Sequence, residues 1–125
     1  MSEIILELIE KGTRWSFDTN EIRIGRDPNC DLVLPTDLYP MVSRSHLLIR
    51  LAADRYWVDD LISSGGTFVN GTRISVAPLV HGDVIQLGVE GPKLKVYVGI
   101  SRRSDGQATT VRRRVPSNED ITKFR

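Results

Sequence analysis

The sequence predicts an all-β fold, a two-sheet antiparallel β-sandwich of about ten or eleven strands. Three observations carry this expectation. Apolar and polar residues alternate at period two in short runs. Turn residues interrupt those runs about every eight to twelve positions. No segment before Gly99 sustains a helical period with caps, so no helix is expected there.

The elements follow in chain order. Ile4, Leu6 and Leu8 share one face of a first strand, and Lys11-Gly12 ends it in a tight turn. Trp15 and Phe17 alternate with Arg14, Ser16 and Asp18, and Asn20 precedes the run Ile22-Arg23-Ile24. Leu32-Val33-Leu34 reads as a short buried strand stopped by Pro35. Leu47 to Leu51 and Tyr56-Trp57-Val58 flank a turn at Ala53-Asp54. Thr67-Phe68-Val69 and Thr72-Arg73-Ile74 flank Asn70-Gly71, where a type I′ turn is predicted because both central residues need positive φ. Val84 to Leu87 and Leu94 to Val98 close the series. Trp15 and Trp57 read as packing residues, and His81 as an exposed turn residue.

The chain divides at Gly99: residues 1–99 form one domain, and residues 100–125, rich in Arg, Ser and Thr, read as a flexible, disordered tail. Charge divides there too. Residues 1–99 hold 10 Lys+Arg against 13 Asp+Glu, a net of −3; residues 100–125 hold 7 against 3, a net of +4. A basic tail can touch anionic surfaces, but the plain reading is a solvated extension. Aromatic residues make up only 6% of the chain, which argues against a base-stacking surface, and no nucleic-acid partner is expected. No apolar run is long enough to cross a bilayer, so no membrane partner is expected. The single cysteine, Cys30, cannot form an internal disulfide, and a reducing cytoplasm is its expected home. Phosphate-loop, dinucleotide and zinc-ligand spacings are missing from the sequence, so neither enzyme activity nor a cofactor or metal is expected.

Three loops carry unusual polar content: Gly25-Arg26-Asp27-Pro28 after one strand, Ser43-Arg44-Ser45-His46 before another, and Ser63-Ser64-Gly65-Gly66 before Thr67. If they meet at one end of the sandwich, they offer the Arg26 guanidinium, the Ser43 and Ser64 hydroxyls, and backbone N–H groups around Gly65 and Gly66. A guanidinium matches two oxygens of a phosphate monoester with charge-assisted bonds, and glycine-rich turns let N–H groups share one anion. An acyl-transfer reading of Ser43 with His46 is disfavoured: residues three apart on a strand point to opposite faces, and no carboxylate is evidently placed to orient the ring. Asp59-Asp60 carries no ligand cluster beside it, so no metal is expected there.

The wording of four segments adds to this. Ile24-Gly25-Arg26-Asp27-Pro28-Asn29-Cys30-Asp31-Leu32-Val33-Leu34, Val42-Ser43-Arg44-Ser45-His46, Thr67-Phe68-Val69-Asn70-Gly71 and Gly82-Asp83-Val84-Ile85-Gln86-Leu87-Gly88 resemble, in order and separation, a forkhead-associated (FHA) domain. The resemblance covers about Ile4 to Val98. It implies a two-sheet sandwich that recognises phosphothreonine peptides with loops at one end. It assigns phosphate contact to Arg26, Ser43 and Ser64, and peptide-backbone contact to Arg44 and Gly65. Structural support falls to Gly25, His46, Thr67, Asn70 and Gly71. One departure stands out: Gly65 replaces the family's asparagine, which bonds the peptide main chain, and glycine offers neither its donor nor its acceptor. The loop Pro35 to Met41 is also longer than usual for the family.

The expected function is therefore a phosphothreonine-dependent adaptor working with a serine/threonine kinase pathway. The alternative is an FHA-like module that assembles proteins without phosphate, a reading that rests on Gly65. Thr109 and Thr110, in the Arg-rich tail, are candidate phosphorylation sites for self-association.

Overall fold

The computed structural model describes residues 3–99. Those residues form eleven strands, and among them there is no helix. The strands are β1 (Glu3–Leu8), β2 (Thr13–Phe17), β3 (Glu21–Gly25), β4 (Leu32–Val33), β5 (Leu47–Ala52), β6 (Arg55–Asp60), β7 (Thr67–Val69), β8 (Thr72–Ile74), β9 (Val76–Leu79), β10 (Val84–Leu87) and β11 (Lys93–Gly99). A six-stranded sheet runs β2-β1-β11-β10-β7-β8, and a five-stranded sheet runs β4-β3-β5-β6-β9. The tail, with Thr109 and Thr110, lies outside the described residues.

Alternation in the sequence becomes the core between the sheets. Ile4, Leu6 and Leu8 of β1 meet Leu94 and Val96 of β11 and Ile85 and Leu87 of β10 on one inner face. Ile22, Ile24, Leu47, Ile49, Tyr56 and Val58 line the other. Burying each such side chain stabilises the fold by about 1.5–3 kcal/mol, so two sheets with opposed apolar faces have reason to close on each other. Tyr39 anchors the long loop before β5 in this core, its hydroxyl donating to Glu10 at 2.6 Å.

Two features depart from the sequence reading. β3 and β4 pair in parallel, through Ile24–Leu32 and Gly25–Val33, so the sandwich is not wholly antiparallel. β9, which contains Pro78, is absent from the strands read in the sequence. It is the outermost strand of its sheet and pairs only with β6, the position where a residue without an N–H costs no ladder bond. The predicted type I′ turn is present, with Asn70 at φ 52° and Gly71 at φ 87°.

The topology brings the polar loops together. Leu47 pairs with Ile24 on one side and with Asp60 on the other. The end of β3, the start of β5 and the end of β6 therefore share one edge of the sandwich, and the loops leaving them are neighbours.

Candidate functional site

Gly25 lets the first two loops interlock. A side chain there would place Cβ 2.0 Å from the Arg44 carbonyl oxygen, so only glycine permits the approach. With the backbones this close, the Arg26 N–H donates to the Ser43 carbonyl at 3.2 Å and the Asp27 N–H to the Arg44 carbonyl at 3.1 Å. The Asp27 carboxylate receives the Asn29 N–H at 2.8 Å, closing a side-chain turn. Cys30 is buried beneath the loops, and its thiol donates to the Arg44 carbonyl at 3.3 Å. Burial pushes that thiol's pKa up, with Asp27 adding to the effect, so it stays protonated.

His46 joins the second loop to the third. It is fully buried. Its Nδ1 accepts the Ser43 N–H at 3.0 Å, and Nε2 lies 2.8 Å from the Gly66 carbonyl oxygen. Only the neutral ring protonated at Nε2 satisfies both partners. Burial holds its pKa below the ordinary 6.5, outweighing the Gly66 carbonyl and Asp60, which pull the other way. The His46 ring is not set as a base for the Ser43 hydroxyl. Ser43 to His46 is a bent loop rather than a strand, and the ring folds back onto that loop. Its one acceptor nitrogen is occupied by a backbone amide, leaving it unable to take the Ser43 hydroxyl proton.

Asp60 braces the third loop. It accepts the Ser63 N–H at 3.2 Å, the Ser63 hydroxyl at 2.5 Å and the Thr67 hydroxyl at 2.7 Å. Burial raises its pKa, but these three bonds outweigh burial and hold the carboxyl below its ordinary range. The Ser63 oxygen in turn receives the Gly66 N–H at 3.0 Å. Sequence reasoning missed Asp60 and Ser63 by treating Asp59-Asp60 as a pair. Asp59 instead turns outward to Arg50, at 2.5 Å. The available signal was an aspartate three residues before a serine, a common way to cap a turn.

On this frame two of the expected phosphate contacts, Ser43 and Ser64, meet. The Ser64 N–H donates to the Ser43 hydroxyl oxygen at 3.1 Å, and the two hydroxyl oxygens stand 3.3 Å apart. The Arg26 guanidinium is anchored through Nε–H on the Val42 carbonyl, one residue before Ser43, and through Nη1 on the Thr36 hydroxyl at 3.3 Å. The rest of its fork has no acceptor among the described residues. Arg44 is exposed. Salt bridges of arginine among the described residues are Arg14–Glu7 and Arg50–Asp59, so Arg26 and Arg44 have no carboxylate partner there. Gly65 packs against Gly88: a Cβ on it would lie 3.0 Å from the Gly88 Cα and 3.5 Å from the Met41 carbonyl oxygen. Arg73 also reaches this end, its Nε lying 2.8 Å from where a Gly66 Cβ would stand. Asn70 and Gly71 do not join the cluster. They sit at the far end of β7 from Thr67, where Asn70 bonds Asp83 and the Val84 N–H, each at 2.9 Å.

The model of the FHA domain family matches residues 22–88, more than half of the chain and every one of the three loops. The chain belongs to the FHA domain family. It is 31% identical over 113 residues to the ABC transporter ATP-binding/permease protein Rv1747 of Mycobacterium tuberculosis, covering 86% of this chain and 13% of that protein. With the glycogen accumulation regulator GarA of Mycolicibacterium smegmatis it shares 34% identity over 88 residues, covering 66% of this chain and 54% of GarA. This FHA chain therefore spans only part of the length of these relatives. A solved FHA domain studied for phosphothreonine-dependent interactions superposes with a TM-score of 0.68 at 31% identity, over 76% of this chain and 95% of that one. Among the described residues, no helix is long and apolar enough to cross a membrane.

Proposed function

We propose that this FHA domain is a non-catalytic adaptor that captures phosphothreonine-containing segments of other proteins, in a serine/threonine kinase pathway of the cytoplasm. The observation that carries the reading is the meeting of the Ser43 and Ser64 hydroxyls, with the Arg26 guanidinium anchored on the carbonyl of Val42, the residue before Ser43, and N–H groups to spare. Arg26 supplies the charge-assisted contact, Ser43 and Ser64 donate to phosphate oxygens, and Arg44 and the Gly65 backbone flank the peptide. The related domain studied for phosphothreonine-dependent interactions supports the choice of ligand. His46, Gly25 and Asp60 hold the loops ready, so binding costs little ordering. Three or four charge-assisted bonds, less the cost of association, correspond to roughly micromolar affinity.

Gly65 favours a second reading, assembly without phosphate, because the family's peptide-anchoring amide is missing there. A titration with a phosphothreonine peptide library separates the two. Arg26→Ala should bind at least about tenfold more weakly, the loss expected when a charge-assisted bond is removed. Equal affinity of wild type and Arg26→Ala, or equal binding of unphosphorylated peptides, would favour assembly without phosphate.

A further inference from the structure

Thr36 and Arg26 lie ten residues apart in the chain, yet the Thr36 hydroxyl accepts from Arg26 Nη1 at 3.3 Å. Backbone bonds on either side fix Thr36 in this place. The Leu34 N–H donates to the Gly25 carbonyl at 2.8 Å, tying the start of the long loop to the segment that carries Arg26. The Tyr39 N–H donates to the Pro35 carbonyl at 2.9 Å, and the Tyr39 side chain is itself buried, its hydroxyl on Glu10 at 2.6 Å. Between these two ties Thr36 is exposed. Its hydroxyl is a weak partner for a guanidinium, because it carries no charge and stands at the long end of hydrogen-bond distances.

We propose that Thr36 is a phosphorylation site, and that a phosphate placed there closes the ligand site by pairing with Arg26. The proposal rests on the phosphothreonine reading of Arg26, Ser43 and Ser64. A serine/threonine kinase transfers the γ-phosphoryl group of a nucleoside triphosphate to the Thr36 hydroxyl. A bond forms between Oγ1 and phosphorus, and the bond from phosphorus to the β-phosphate oxygen breaks. The nucleoside diphosphate leaves, and the hydroxyl proton passes to solvent. Three acceptor oxygens with a charge of about −1.5 to −2 at pH 7 then stand beside Arg26. A guanidinium takes two phosphate oxygens in parallel charge-assisted bonds, so the strong pairing a ligand needs is already made. The competition is unequal. The Thr36 phosphate is held beside Arg26 by the chain, at an effective concentration that a ligand in solution does not reach, and an arriving phosphate meets like charge. The modified residue belongs to the loop that borders the site, so no other segment has to travel there.

The test compares the full chain carrying phosphothreonine at position 36 with the unmodified chain, using the tightest peptide from a phosphothreonine library as the probe. The modified chain should bind at least about tenfold more weakly, with its melting temperature kept or raised. Its phosphorus resonance should titrate below the ordinary second phosphate pKa of about 6, because the guanidinium favours the dianion, and Arg26→Ala should restore the ordinary value. Phosphosite mapping of the chain from its native cells should find phosphate on Thr36. Undiminished affinity, a resonance indifferent to Arg26→Ala, or no phosphate on Thr36 in those cells would overturn this proposal alone. So would a lowered melting temperature, which marks damage to the loop, or a dimer in sedimentation, which marks capture by a second copy. Failure of the unmodified chain to distinguish phosphorylated from unphosphorylated peptides would overturn the phosphothreonine reading itself, and the phosphorus titration reports the Thr36–Arg26 pairing separately.

Discussion

Ser64 gives its amide N–H to the Ser43 hydroxyl oxygen at 3.1 Å, and the two hydroxyls stand 3.3 Å apart, although 21 residues separate them along the chain. Each hydroxyl can donate or accept. In their contact one donates and the other accepts. On the proposed reading, a phosphate needs only the hydrogens to rotate towards it, while both oxygens stay where the loops hold them.

Those loops should weaken in acid. The folded protein holds the His46 proton less tightly than the unfolded chain, whose pKa lies near the ordinary 6.5. Above that value neither state carries the proton, and the contribution of His46 is complete. Below it the unfolded chain binds more protons, and stability declines by at most about 1.4 kcal/mol per pH unit for one group. Asp60 adds a second loss, beginning as pH falls through the ordinary 3.8 and completed below its depressed folded value. Urea midpoints measured from about pH 7.5 to 5 should fall in the wild type and less in His46→Gln. A flat wild-type profile would remove this account.

Asp60→Ala should destabilise the domain by about 1–3 kcal/mol, because it strands the fully buried Thr67 hydroxyl and frees the Ser63 amide. Each kcal/mol corresponds to roughly 4–8 °C of melting temperature at this size. Thr67→Val removes the stranded group, so the double variant should lose less than the sum of the single ones. Strict additivity in calorimetry would show that the two side chains act independently.

Gly65→Asn should strengthen phosphopeptide binding by about fivefold, the worth of one main-chain hydrogen bond near 1 kcal/mol. The same change should cost some stability, because its Cβ meets the Gly88 Cα at 3.0 Å, at the tight end of real contacts. Titration calorimetry and thermal melts on one sample give both numbers. Unaltered affinity with a lowered melting temperature would mean that Gly65 serves packing and the peptide passes elsewhere.

The β5–β6 hairpin turns through Ala53 at φ 54° and Asp54 at φ 61°, with no glycine. Left-handed backbone costs an alanine about 1 kcal/mol, whereas Asn-Gly adopts it readily. Ala53→Asn combined with Asp54→Gly should therefore raise stability by roughly 1 kcal/mol and leave ligand binding untouched, since this turn lies at the opposite end of β5 from Leu47. No gain in the urea midpoint would show that the turn is already relaxed.

Ten of the eleven strands were legible because alternation is local: each run states which of its residues face inward. β9 was not, since Pro78 argues against a strand unless one knows that the strand is outermost. The parallel pairing of β3 with β4 escaped for a related reason, because a pattern along one strand does not name its neighbour. Within the site, Gly25, Arg26 and Ser43 were readable from motif wording. Asp60 was hidden, its role being set by where Thr67 returns.

Residue order alone determined that this is a β-sandwich of the FHA kind, that Asn70-Gly71 turns a hairpin, and which polar loops to watch. These follow from side-chain period and backbone preference, properties of neighbours in the chain. Only the folded arrangement decided that Gly25 presses on Arg44, that His46 spans Ser43 and Gly66, and that Arg26 reaches Thr36. Such contacts join residues far apart in sequence. They exist only once strand pairing has brought the loops to one end, and no local pattern encodes the distance between them.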